Sequence, residues 1–313
     1  MLLPFVYLGS IFMGWSLGAN DAANIFGTGV VTRAIRFRTA AILLSVFVIL
    51  GSTIEGQKTI ETVGFFTELN ISLALLATIA AALVVTGMTY FGIPVSTSQA
   101  ILGAVMGVAI YTTGFAAFPW DKFTKVIICW VGAPLGAMVI SIALYQLMDI
   151  ATRRIKSLPT FMLAMKIGIM VVGSYGAYTL GANNVANTTG VFVGAGVFTP
   201  FLGTVIGGLA IALGACTYSK RVMETVGGKI TPLDIPTAFV AVLAEAITLH
   251  IFTQVGVPVS ASQAIVGAVI GIGMAKGIRT VSAKKTAQIL VGWVLTLGIS
   301  ILLPYLFLLL FSW

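Results

Sequence analysis

The chain is 313 residues long, 58% hydrophobic and only 8% charged, with a net charge of +8. Soluble domains carry about 25% charged residues, so a soluble globular class is excluded, and the recurring apolar runs suit helices of about 20 residues that cross a bilayer. The short alternating segments of a transmembrane β-barrel are missing, and positive charge confined to loops reads as topology rather than nucleic-acid affinity.

Residues 2–17 read as a first span, without the basic start and small-residue cleavage site of a signal peptide. The span runs into GANDAAN (18–24), where Asp21 lies between Asn20 and Asn24. Gly18 tolerates non-helical dihedrals, and Asn and Asp compete for nearby backbone groups, so the helix is expected to be interrupted here. Irregular backbone at membrane depth survives only inside protein or against a wet cavity. Freed carbonyls, amide oxygens and one carboxylate form an oxygen-rich set suited to a hard cation. No Lys or Arg in the segment neutralises Asp21, and a charged Asp at a helix centre costs about 2.5–3.5 kcal/mol. The alternative is a polar helix interface joined by Asn hydrogen bonds.

A basic loop follows with Arg33, Arg36 and Arg38, then a span to about residue 54, then an outer loop at 55–68 with Glu55, Glu61 and Glu68 against Lys58. Glu55 is placed at an entry vestibule. In GIPVSTSQAILGAVMG (92–107), Pro94 ends one helix and Ser96-x-x-Gln99 is a capping box that starts another. A helix N-terminus within the membrane is an anion site, and the hydroxyls of Ser96, Thr97 and Ser98 add donors. An ordinary capped helix starting at the interface is the alternative. A long final span carries Trp130, read as an interfacial anchor, and the basic linker TRRIKSLP (152–159) closes the first half.

The pattern then restarts. GANNVAN (181–187) lies 163 residues after GANDAAN, a second ETVG (224–227) follows ETVG (61–64), and Trp293 follows Trp130 at the same interval. GVPVSASQAIVGAVIG (256–271) matches 92–107 with one extra residue. The expected organisation is a first repeat over 1–150, a cytoplasmic basic linker over 151–159 and a second repeat over 160–313. Equivalent loops carry opposite charge bias. Placing 33–38, 152–166, 217–234 and 276–285 in the cytoplasm puts 14 of the 17 Lys and Arg inside and both termini outside. The expected fold is therefore an all-α polytopic membrane protein. It consists of two inverted-topology repeats with interrupted or re-entrant helices, about 10–12 membrane segments in all.

Inversion brings the two PVS motifs together beside the two GAN heptads. The candidate anion site comprises Thr97, Ser98 and Gln99 with Ala261, Ser262 and Gln263, reached by Asp21 and Asn184. The candidate cation ligands are Asn20, Asp21, Asn24, Ser96, Asn183, Asn187 and Ser260. These residues imply a cation-coupled anion transporter.

The heptads, the PVS motifs and RVMETVGGKITPLD (221–234) together resemble the inorganic phosphate transporter (PiT) family, in a sodium-coupled member of bacterial or archaeal type. The resemblance implies phosphate uptake coupled to sodium or to protons. It also implies a Glu at the position of Glu245, with a role in ion passage or gating; the alternative for Glu245 is pairing with a neighbouring helix. Glu55, from its place at the start of the outer loop, is the other candidate for ion passage or gating. Asn184 stands where the family carries Asp, and Gln99 and Gln263 where it carries His. Gln cannot titrate as His does, which favours sodium. His250, the single histidine, and the two cysteines, Cys129 and Cys216, read as packing residues. The chain has no P-loop and is not expected to be an enzyme.

The expected activity is sodium:inorganic phosphate symport by alternating access in the cell membrane. Its partners are phosphate, sodium ions and the lipid bilayer, with no organic cofactor and no nucleic acid, and a homodimer is left open. The competing readings are proton coupling, a metal–phosphate complex, or a transporter or channel for another oxyanion such as sulfate.

Overall fold

The computed structural model describes residues 2–64, 69–91, 95–153, 155–220, 223, 234–277 and 283–311. Glu68, Pro94, Arg154, Arg221, Lys229, Arg279 and the second ETVG lie outside the described residues.

The first half comprises α1 (Leu3–Val31), α2 (Phe37–Glu55), α3 (Gln57–Gly64), α4 (Ile71–Tyr90), α5 (Thr97–Thr113) and α6 (Trp120–Thr152). The second comprises α7 (Leu158–Asn184), α8 (Ala186–Gly194), α9 (Pro200–Thr217), α10 (Ile235–Val255), α11 (Ala261–Lys276) and α12 (Ala283–Leu310). Among the described residues, seven stretches are long and apolar enough to cross a membrane: α2, α4, α6, α7 with α8, α9, α10, and residues 290–310 of α12. Their outer faces expose large apolar side chains, such as Ile42 and Ile54 on α2, Ile128 and Val139 on α6, and Val294 and Leu302 on α12. A continuous apolar exterior on long helices suits lipid rather than water.

The interruption expected at GANDAAN is absent. α1 runs unbroken through it, because the polar side chains bond to other helices instead of to their own backbone. Gly18 serves close approach: a methyl group there would meet the Ile211 carbonyl of α9. In the second half, Val185 separates α7 from α8 with helical dihedrals (φ −58°, ψ −31°), so 158–194 forms one rod with a local irregularity.

The true interruptions are at the PVS motifs. α4 ends at Tyr90 and α5 starts at Thr97, and α10 ends on Gly256 in the left-handed region (φ 78°) before α11. Ser96 Oγ accepts from Gln99 N at 3.2 Å and Ser260 Oγ from Gln263 N at 3.2 Å, so both serine N-caps form, but the reciprocal half of the expected capping box does not, because the side-chain oxygens of Gln99 and Gln263 have no partner. α5 and α11 have 17 and 16 residues, or about 25 Å of helix. That is short of a bilayer's roughly 30 Å apolar core. Both are buried on nearly every face, as helices apolar all round must be.

The halves exchange partners. α1 packs on α9 and α7 on α2, and α5 packs on α12 and α11 on α6, while within each half α4 packs on α1 and α10 on α7. The pairing repeats at single residues. Gly18 meets Ile211 and Gly181 meets Val48; Gly103 meets Leu297 and Gly267 meets Pro134. Such reciprocal contacts are those of a two-fold relation. Trp130 and Trp293 are 4% and 8% exposed; they lie inside this packing and are not the interfacial anchors expected.

Candidate functional site

The cluster around Asp21 is built where α1, α5 and α11 meet. Asp21 is 1% exposed. Its Oδ2 accepts from Thr97 Oγ1 at 3.0 Å, and its Oδ1 accepts from Ser262 Oγ at 3.0 Å. Asn24 Nδ2 donates to the same Ser262 hydroxyl at 3.1 Å. One helical turn back, Asn20 Nδ2 donates to Thr89 Oγ1 on α4 at 2.7 Å.

The second heptad repeats this arrangement with the halves exchanged. Ser98 Oγ lies 3.3 Å from Asn184 Oδ1 and 3.1 Å from the Val259 carbonyl, to either of which it can donate, and accepts from Asn187 Nδ2 at 2.9 Å. Asn187 Nδ2 also lies 2.9 Å from Asn184 Oδ1. Asn183 Nδ2 reaches Thr253 Oγ1 at 3.1 Å, and Asn183 Oδ1 accepts from Val259 N at 2.8 Å. Thus Asp21–Ser262 corresponds to Asn184–Ser98, Asn24–Ser262 to Asn187–Ser98, and Asn20–Thr89 to Asn183–Thr253. The Asp21–Thr97 bond has no counterpart, because Ala261 stands where Thr97 would recur.

The structure therefore joins Asp21, Asn24, Thr97 and Ser262 in one group and Ser98, Asn184 and Asn187 in another. Ser96 and Ser260 sit beside them as caps. Asn20 and Asn183 are turned to Thr89 and Thr253, which sequence reasoning missed. Their signal was the repeat: both precede a PVS proline by five residues.

Electrostatically the site is rich in unmatched acceptors. Asn20 Oδ1, Asn187 Oδ1, Gln99 Oε1 and Gln263 Oε1 are buried without a hydrogen-bond partner, as are both oxygens of Glu245. Glu245 is fully buried on α10 and within electrostatic reach of Asp21. Buried polar atoms are normally paired; a set dominated by oxygens fits a hard cation. The first backbone N–H groups of α5 and α11 lack intrahelical partners, as at any helix start, and fit an anion.

Glu55 belongs to neither group. At the end of α2 it accepts from Tyr178 OH at 2.7 Å and Gln254 Nε2 at 2.5 Å, with Lys58 Nζ at 3.3 Å and His250 Nε2 at 3.5 Å. His250 Nδ1 pairs with Tyr175 OH at 2.7 Å. This cluster borders an apolar groove of about 820 Å³ between α2 and α7, lined by Leu43, Phe47, Met170 and Val171 among others. Among the described residues no three His, Cys, Asp or Glu side chains could hold a metal ion together.

The chain is similar to proteins that carry related names. A protein of Methanocaldococcus jannaschii named "Putative phosphate permease" is 33% identical over 95% of this chain and 93% of its own length. "Sulfate permease CysP" of Bacillus subtilis is 34% identical over 96% of this chain and 86% of its own. A solved structure described as "The sodium-dependent phosphate transporter" superposes with a TM-score of 0.86 at 25% identity, covering 99% of each chain. The phosphate transporter family model matches twice, over residues 17–172 and 163–304. With both repeats matched, the chain is a multi-pass membrane protein that belongs to the phosphate transporter family.

Proposed function

We propose that the chain is a sodium:inorganic phosphate symporter that works by alternating access in the cell membrane, with both termini outside. Residues 1–150 and 160–313 would be its two inverted repeats. The observation that carries the reading is the meeting of two capped helix N-termini, α5 and α11, beside buried oxygens that have no partner. Phosphate would be held by Thr97, Ser98, Gln99, Ala261, Ser262 and Gln263, with Asp21 and Asn184 reaching it. Sodium would be held by Asn20, Asp21, Asn24, Ser96, Asn183, Asn187 and Ser260. Asp21 accepts two hydroxyl bonds, while a carboxylate has about four acceptor positions, so capacity is left for an ion or for a proton-bearing phosphate oxygen. A cation bound first offsets the cost of bringing a polyanion to mid-membrane. Glu245 would serve ion passage, and Glu55 would act at the outer end of α2.

Radiolabelled phosphate uptake into proteoliposomes tests this. An inward sodium gradient should drive accumulation; accumulation driven by a pH gradient and indifferent to sodium would replace sodium with protons. Ser98→Ala with Ser262→Ala should weaken phosphate affinity more than sodium affinity, and the reverse order would exchange the two sets of ligands. Sulfate is the second reading, favoured by the similarity to a protein named as a sulfate permease. An acceptor such as Asp21 favours an anion that carries a proton of its own, which at neutral pH phosphate does and sulfate does not. Excess sulfate should therefore compete poorly with phosphate uptake.

A further inference from the structure

Two buried tryptophans lack what the other described ones have. Trp15 donates its indole N–H to Thr217 Oγ1 at 2.8 Å and Trp120 donates to the Phe115 carbonyl at 2.9 Å. Trp130 and Trp293 are more than nine-tenths buried, yet neither Nε1 has a partner. A buried indole N–H normally finds an acceptor. These two are equivalent positions of the repeat, so the same departure occurs twice.

The helix register shows what lies beside them. Gly267 of α11 packs on the backbone of Pro134 in α6, and Gly271 packs on Met138. Both helices advance by four residues, so they run side by side in the same direction, and one turn back Gln263 lies level with Trp130. Gly103 of α5 likewise packs on Leu297 of α12 and Gly107 on Ile301, which brings Gln99 level with Trp293. Residues four apart share a helix face, so each Gln is on the face turned to its Trp. The side-chain oxygens of Gln99 and Gln263 are themselves buried without partners. At each place an unmatched donor of one half stands level with an unmatched acceptor of the other.

We propose that Trp130 and Trp293 are positioning residues of the anion site: when the anion binds, each indole N–H takes the side-chain oxygen of Gln263 or Gln99 and so turns that glutamine's NH2 towards the anion. This rests on the reading that the anion sits between α5 and α11. The indole is a donor only, so it can hold only the oxygen end of a carboxamide. A carboxamide held that way presents donors to an oxyanion; one that rotates freely also presents its repelling oxygen. Because each Trp–Gln pair joins the two halves, closing the pair couples anion loading to the contact between repeats.

The test uses the purified full chain with Trp15, Trp120 and Trp313 replaced by Phe, leaving two reporter indoles. Inorganic phosphate added in the presence of sodium should shift their emission, and Gln99→Leu with Gln263→Leu should abolish the shift. In proteoliposomes, Trp130→Phe and Trp293→Phe should each raise the KM for phosphate roughly ten-fold, with half-maximal sodium activation changed less than about two-fold. Phosphate that leaves emission unchanged overturns the proposal without relying on any variant of the two tryptophans. A shift that persists in the double Gln→Leu protein, or a KM unmoved by both Trp→Phe changes, overturns it as well. If sulfate and not phosphate gives the shift and the Trp-dependent KM, the positioning role stands and the phosphate reading fails.

Discussion

At the scale of single residues, the site is a symmetric frame with one asymmetric corner. Asn184 replaces the heptad carboxylate and Ala261 replaces the hydroxyl that would bond to it, while Asp21 and Thr97 retain both and bond to each other. Asp21→Asn should abolish gradient-driven phosphate uptake while the protein still elutes as a folded species in size-exclusion chromatography. Asn184→Asp alone places a carboxylate in the second heptad with the Ser98 hydroxyl but without a counterpart of Thr97. It should lower stability by roughly 2–3 kcal/mol, seen as a fall of about 5 °C in the thermal midpoint. Adding Ala261→Thr should recover at least half of that loss. Much of the candidate cluster was legible in the sequence, because residue type and the 163-residue interval marked the heptads and the PVS caps. The partners of Asn20 and Asn183 were harder to see: Thr89 and Thr253 lie in apolar runs where a threonine carries no local signal, and only tertiary packing turns them to the heptads.

At the scale of elements, the informative difference lies in α1. Gly18, Asn20, Asp21 and Asn24 have the composition of a helix breaker, yet the helix continues through them. Propensity describes competition between a side chain and its own backbone; here the side chains are already engaged by Thr89, Thr97 and Ser262, and that competition is removed. Gly18 answers to packing, not flexibility. Gly18→Ala should cost roughly 1–3 kcal/mol of stability by overpacking against α9, measured as a lower thermal midpoint in detergent. Gly87 of α4 has open space where a methyl group would go, so Gly87→Ala should gain about 0.5–1 kcal/mol from helix propensity. The breaks at the PVS motifs were legible because proline and a serine N-cap act locally, whatever the surrounding fold supplies.

At the scale of the whole molecule, the repeat and the loop charges were legible in the sequence, whereas the exchange of partners between halves was not, since nothing local records which apolar face meets which. Dividing the chain in the 152–159 linker tests the exchange. The two halves expressed together should co-purify and restore uptake, while either half alone should be lost to proteolysis. The same arrangement has a consequence for biosynthesis. α5 has its backbone neighbour in α12, which is made almost two hundred residues later. At typical elongation speeds of about 5–20 residues per second, α5 waits on the order of ten to forty seconds for its lining. Throughout that interval a helix too short to cross the bilayer, with hydroxyls at its start, must be sheltered by the translocation machinery. The second half of the chain therefore completes the insertion of the first, and errors of membrane insertion should concentrate at residues 95–113.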